Sequence, residues 1–140
     1  MMRSAALLLA LAAANPAPAA SLVVDVDGIA SAEGSVGCAL YTGPEGFLDS
    51  ARAAALVAVP ADPAGVTCRF DGLADGIYAV AVHHDVNGNG EVDTNLIGIP
   101  QEPWGVTNNA RPRMSAPSFE DAALRVEGDG AAAARVTVAE

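Results

Sequence analysis

The chemistry-bearing residues of this chain concentrate in one run, His83 to Asn95, which places oxygen-bearing side chains at alternating positions around glycines. Asp85, Asn87 and Asn89 take relative positions 1, 3 and 5, Gly90 position 6, Glu91 position 7 and Asp93 position 9. That is the order in which a twelve-residue loop wraps oxygens around a hard cation. The expected ligands of a structural Ca²⁺ are the side chains of Asp85, Asn87, Asn89 and Asp93 with the carbonyl oxygen of Glu91. Position 12, where an EF-hand has a bidentate Glu, is Leu96. A distant carboxylate must therefore complete the shell, and Glu102, Glu120 and Asp121 are the available donors. Without it the affinity falls to a Kd of about 10⁻⁴ to 10⁻³ M. The competing reading is an Asn/Gly turn whose side chains cap their own backbone.

Other chemistry is thinner. His83 and His84 are adjacent, so on a strand they point to opposite faces and do not share an ion; His84 alone leaves room for a transition-metal hydrolase. G-x-S-x-G, H-E-x-x-H, C-x-x-C and a phosphate-cradling glycine loop are all missing, and the expectation is a protein that is not an enzyme, with no catalytic residues. Trp104, Arg111 and Arg113 define a surface that could take an envelope glycan or peptide. Cys38 and Cys68 form the only cysteine pair. In an exported chain an even count reads first as a disulfide, against two small buried thiols.

The charge is acidic, with 17 Asp and Glu against 7 basic residues, all Arg. Arg111 and Arg113 are the only close basic pair, which excludes a phosphate-tracking nucleic-acid surface. Residues 1–20 carry Arg3, an apolar stretch from Ala5 to Ala14 and the small residues Ala17-Pro18-Ala19. This is the pattern of a cleaved signal peptide, and it implies a secreted or periplasmic protein. No stretch reaches the ~20 apolar residues of a transmembrane span. Residues 21–140 then make one domain, whose oligomeric state the sequence leaves open.

The elements that must position the loop are strands. Period-two alternation marks Ser21–Asp27, Ser35–Tyr41, Leu56–Val59, Val66–Phe70 and Ile77–His84, with Cys38 and Cys68 on inward faces. Leu124 with Val126 and Val136 with Val138 supply two more. The alanines of 131–134 are left outside any element. Phe47 to Ala55 lacks alternation and is expected to be a short helix capped by Asp49 or Ser50; Ser118-Phe119-Glu120-Asp121 opens a single helical turn with a capping box. Between Asp85 and Ser118 the expectation is one long connection pinned by Leu96, Ile97, Ile99 and Trp104. Seven short strands with turns rich in Gly and Pro argue for an all-β sandwich.

Phe70-Asp71-Gly72-Leu73-Ala74-Asp75-Gly76-Ile77-Tyr78-Ala79-Val80 resembles the F-x-x-L-x-x-G-x-Y-x-V signature of transthyretin-like, or prealbumin-like, sandwich domains. The longer series His84 to Gly90, Asp93-Thr94-Asn95, Gly98-Ile99-Pro100, Glu102 to Gly105, Asn108-Asn109-Ala110 and Pro117 to Ala122 resembles the exported bacterial domain-of-unknown-function family numbered twenty-one forty-one. The resemblance implies a secreted or periplasmic transthyretin-like sandwich and assigns it no activity.

Overall fold

A computed structural model describes residues 19–140, so the expected signal segment lies outside the described residues apart from Ala19 and Ala20. Eight strands form two sheets: β1 (Ala20–Asp27), β2 (Ser35–Tyr41), β3 (Ala55–Pro60), β4 (Val66–Leu73), β5 (Gly76–Asp85), β6 (Trp104–Val106), β7 (Leu124–Val126) and β8 (Ala131–Thr137), with one helical turn, α1 (Phe119–Ala122), before β7. The smaller sheet runs β4-β1-β8 and the larger β3-β2-β5-β6, with β7 also paired to β5. The two short strands share one edge of β5, β7 along Gly76–Tyr78 and β6 along Ala81–His83. Most pairings are antiparallel, but β1 and β8 run parallel in an unbroken register from Ser21↔Ala131 to Asp27↔Thr137.

The alternation works as read. Leu22, Val24 and Val26 of β1, Val36, Cys38 and Leu40 of β2, Cys68 and Phe70 of β4, and Tyr78, Val80 and Val82 of β5 meet between the sheets. Each fully buried Val or Leu there contributes about 1.5–3 kcal/mol. Cys38 and Cys68 are bridged. In the Phe70–Val80 signature, Leu73 packs against this core and the Tyr78 hydroxyl donates to the Ala74 carbonyl at 2.7 Å, closing the turn into β5.

The outer face of the larger sheet is covered as well. Ala39, Tyr41, Ala79, Val106, Phe119 and Ala122 form a second core, and Phe47 stands edge-on to Tyr41 and Phe119. Ala39, Ala79 and Ala81 on the outward face of β2 and β5 leave room for the 107–123 segment to pack there through Ala110, Phe119 and Ala122. Thr107 fastens it: its hydroxyl accepts from the Val80 N–H at 3.1 Å and donates to the Ala122 carbonyl at 2.5 Å. Asn108 donates to the carbonyls of Asp121 and Ala123, and Asn109 accepts from the Thr137 N–H. These two asparagines adopt positive φ, a conformation Asn tolerates better than most residues.

Four expectations are corrected. There are eight strands rather than seven, because β6 pairs through only three residues, too few to show a period. The alanines of 131–134 belong to β8, paired along β1, with Ala132 and Ala134 packed against the core. Phe47–Ala55 is not a helix: Leu48 takes φ 72° and only Ser50–Arg52 makes a 3₁₀ turn, capped by Asp49, whose carboxylate accepts from the Ala51 N–H. Leu96, Ile97 and Ile99 do not pin the connection but stand out from it, exposed. The capping box of α1 forms as expected, Ser118 and Asp121 satisfying each other's backbone N–H.

Candidate functional site

The last residue of β5 is Asp85, so the strand delivers a carboxylate to the end of the sandwich where the β1–β2 turn also lies. Asp85 is buried, and its oxygens accept from the N–H groups of Asn89 at 3.2 Å and Gly90 at 2.7 Å. The first position of the loop thus holds the amides of the fifth and sixth. Asn87 Oδ1 accepts from the Asn89 N–H and Asn89 Oδ1 from the Glu91 N–H, a succession of turns closed by side chains. Their amide nitrogens point at one carboxylate: Asn87 Nδ2 lies 2.5 Å from Asp93 Oδ2 and Asn89 Nδ2 lies 2.7 Å from Asp93 Oδ1.

Glu102 closes the arrangement from the far end. It is buried, and its two oxygens accept from the Val86 N–H at 2.7 Å and the Asp93 N–H at 3.0 Å, joining the start of the loop to its ninth position. Of the three acids offered by the sequence, it is the one in place. Asp121 is used in the capping box of α1. Asp85, Asp93 and Glu102 have only amide hydrogens as partners; among the described residues the ion pairs are Arg52–Glu45, Arg69–Asp71 and Arg135–Asp27, all elsewhere. Beside the loop an open cleft of about 350 Å³ is lined by Ser31, His84, Asp93, Gln101, Glu102 and Glu140, among others.

The donor set contains only oxygen, which suits a hard cation. The arrangement itself is closed on its own amides, and among the described residues no group of three or more His, Cys, Asp or Glu side chains is close enough to hold a metal. Glu91 is exposed.

The histidines separate as alternation requires. His84 points inward and its Nε2 meets the Glu33 carbonyl at 2.7 Å, while its Nδ1 is buried without a partner. Among the described residues no hydrogen bond joins it to Asp85, Asp93 or Glu102. His83, on the opposite face, is half-buried, because its ring lies across Gly37, where a Cβ would come within 2.8 Å of its Cε1. Burial holds the His83 imidazole below its ordinary 6.5, outweighing the opposing pull of Asp85 and Glu102. The unfolded chain therefore binds the proton first, and stability falls as pH drops below about 6.5 toward the lower folded value. Melting temperatures from pH 7.5 to 5.5 should decline in the wild type and flatten in His83→Gln; parallel curves would remove His83 as the cause.

Trp104, Arg111 and Arg113 do not form one surface. The Arg111 guanidinium stacks 3.9 Å over the Trp104 ring and donates to the carbonyl oxygens of Trp104, Ala139 and Glu140. It clasps the end of the chain against β6, where Trp104 and Ala139 exchange backbone hydrogen bonds. Trp104 is half-buried beneath it, and Arg113 is exposed. Sequence reasoning missed the work of Thr107, Asn108 and Asn109; the paired asparagines were the available sign, since Asn-Asn favours positive φ.

Fold and site together define an all-β sandwich whose core strand β5 ends in an acidic, side-chain-closed loop. Residues 24–134 match the family described as "Uncharacterized protein conserved in bacteria (DUF2141)", and the chain belongs to that family. Neither a curated protein nor a solved structure matches the chain. No helix among the described residues is long and apolar enough to cross a membrane.

Proposed function

We propose that this is an exported, non-catalytic sandwich domain whose Asp85–Asp93 loop, closed by Glu102, takes up Ca²⁺ as a structural latch. One observation carries the reading: three carboxylates, two of them buried, meet at one loop with no cationic side chain among their partners in the described residues. Buried negative charge left without a counter-ion is costly, and amide hydrogens offset only part of that cost. The amide nitrogens of Asn87 and Asn89 now stand where a cation would neutralise Asp93. Turning each amide would present Oδ1 in place of Nδ2, at the expense of four hydrogen bonds, two to Asp93 and two from the N–H groups of Asn89 and Glu91. That cost keeps the affinity in the range of extracellular modules, Kd about 10⁻⁴ to 10⁻³ M, even with Glu102 closing the loop. Export is supported by the leader-like first residues and by the Cys38–Cys68 bridge. The glycan or peptide reading draws no support from Trp104 and Arg111, which are engaged with the chain's own end.

Thermal unfolding in 10 mM Ca²⁺ and in chelator tests this. Binding of that strength adds about 1.4–2.7 kcal/mol at about 10 to 100 times Kd, a rise of several degrees. Asp85→Ala should abolish the rise, and Glu102→Gln, which removes charge at nearly constant shape, should shrink it. Equal melting temperatures with and without Ca²⁺ in the wild type would end the calcium reading.

A further inference from the structure

Just beyond the acidic loop the chain makes a second, smaller hairpin. Thr94 and Pro100 pair across it, and its end is Leu96-Ile97-Gly98-Ile99, with Leu96, Ile97 and Ile99 at 106%, 79% and 51% exposure. Three large apolar side chains held outward in four residues are not the scattered exposure common on soluble surfaces. From Thr94 to Gln101 there is no charged residue, in a chain with a formal net charge of −10.

The backbone N–H groups of this tip are mostly engaged within it. Asn95 Oδ1 accepts from the N–H groups of both Ile97 and Ile99, each at 3.0 Å. The Asn95 carbonyl accepts from Gly98, the Asn95 N–H donates to the Ile99 carbonyl, and the Gln101 N–H donates to the Asp93 carbonyl. Pro100 has no N–H, so between Asn95 and Gln101 only Leu96 keeps a donor without an acceptor in the hairpin. Unpaired backbone groups keep irregular segments out of hydrocarbon; here the donors are nearly all engaged, two of them by the Asn95 side chain, and the carbonyls of Leu96, Ile97 and Gly98 can keep their water at the depth of the headgroups.

We propose that this hairpin is a wedge that enters a lipid surface with zwitterionic headgroups, Leu96, Ile97 and Ile99 being the inserted side chains. The tip is convex, so it must be surrounded rather than covered, and fluid acyl chains do this without a matching shape. To receive it, a second copy of the chain would have to desolvate acids: Asp93, Glu102 and Glu140 stand in the cleft beside the loop, with Ala30, Val86 and Pro103, and Asp25 and Asp27 in that beside Val66. Glu91 and Asp93 behind the tip, together with the net charge, oppose an anionic headgroup layer. The inference goes beyond the calcium latch and does not depend on it.

Flotation of the purified protein with phosphatidylcholine vesicles, in EDTA, is the test. The wild type should float, Leu96→Ser/Ile97→Ser should partition at least about tenfold less, and Leu56→Ser, an exposed apolar residue on β3, should match the wild type within about twofold. Phosphatidylglycerol vesicles should bind less well than phosphatidylcholine. No flotation of the wild type, equal flotation of the double variant, or tighter binding to phosphatidylglycerol in EDTA would each overturn the proposal. So would a wild-type dimer in sedimentation velocity that the double variant dissolves, if vesicles are not bound. Because chelator is present throughout, failure of the calcium experiment leaves these outcomes readable.

Discussion

Gly34→Ala is expected to destabilise the fold by more than about 3 kcal/mol, a large share of the 5–15 kcal/mol that holds an ordinary domain together. Gly34 has φ 70°, which costs an alanine about 1–2 kcal/mol. The greater problem is space. A Cβ at this position would lie 2.0 Å from the Asp85 carbonyl oxygen and 2.7 Å from that of Val86. Both obstacles are backbone, so no rotamer change relieves them and the β1–β2 turn must separate from the end of β5. Asp85 opens the acidic loop, and its displacement should also erase any response to Ca²⁺. Urea unfolding of Gly34→Ala beside Gly43→Ala, where a Cβ meets nothing within 4 Å, isolates the effect. A midpoint for Gly34→Ala close to that of Gly43→Ala would show that the turn yields freely.

Loss of the Cys38–Cys68 bridge should cost about as much. The cysteines are 30 residues apart in sequence and almost fully buried, one on β2 of the larger sheet and one on β4 of the smaller. On the chain-entropy account, closing a loop of that length contributes about 3.5 kcal/mol. Cys38→Ala/Cys68→Ala, or reduction of the wild type, should therefore lower the melting temperature by roughly 10–15 °C for a domain of this size. A fall of less than about 3 °C would mean that face-to-face packing of the sheets needs no covalent tie.

The strands were legible in the sequence where a side chain had to choose a face. β1, β2, β4 and β5 bury every second residue against the opposite sheet, and the period survives in Leu22-Val24-Val26 and Tyr78-Val80-Val82. The strand at Val136 was legible, but the alanine half of β8 hid because alanines carry almost no facial preference, and β6 because three residues make no period. The acidic loop was legible as a spacing of oxygens, and Glu102 stood among three candidate closing acids. That it bridges the Val86 and Asp93 amides could not be read, since nothing local to residue 102 specifies which distant donors it will meet. The exposure of Leu96, Ile97 and Ile99 ran against the rule that apolar residues anchor long loops. The deciding residue was Asn95, whose side chain fixes a turn that aims them outward.

The parallel pairing of β1 with β8 bears on how the chain reaches this state. Ser21 meets Ala131 and Asp27 meets Thr137, so the central strand of the smaller sheet acquires its second neighbour only when residues 131–137 are in place. Contacts of such sequence separation slow folding, because a long loop must close before the pairing is gained. Until β8 arrives, β1 presents an open edge carrying Leu22, Val24 and Val26, a template for pairing with other nascent chains. Among the described strands, the eighth is therefore the one that seals the first.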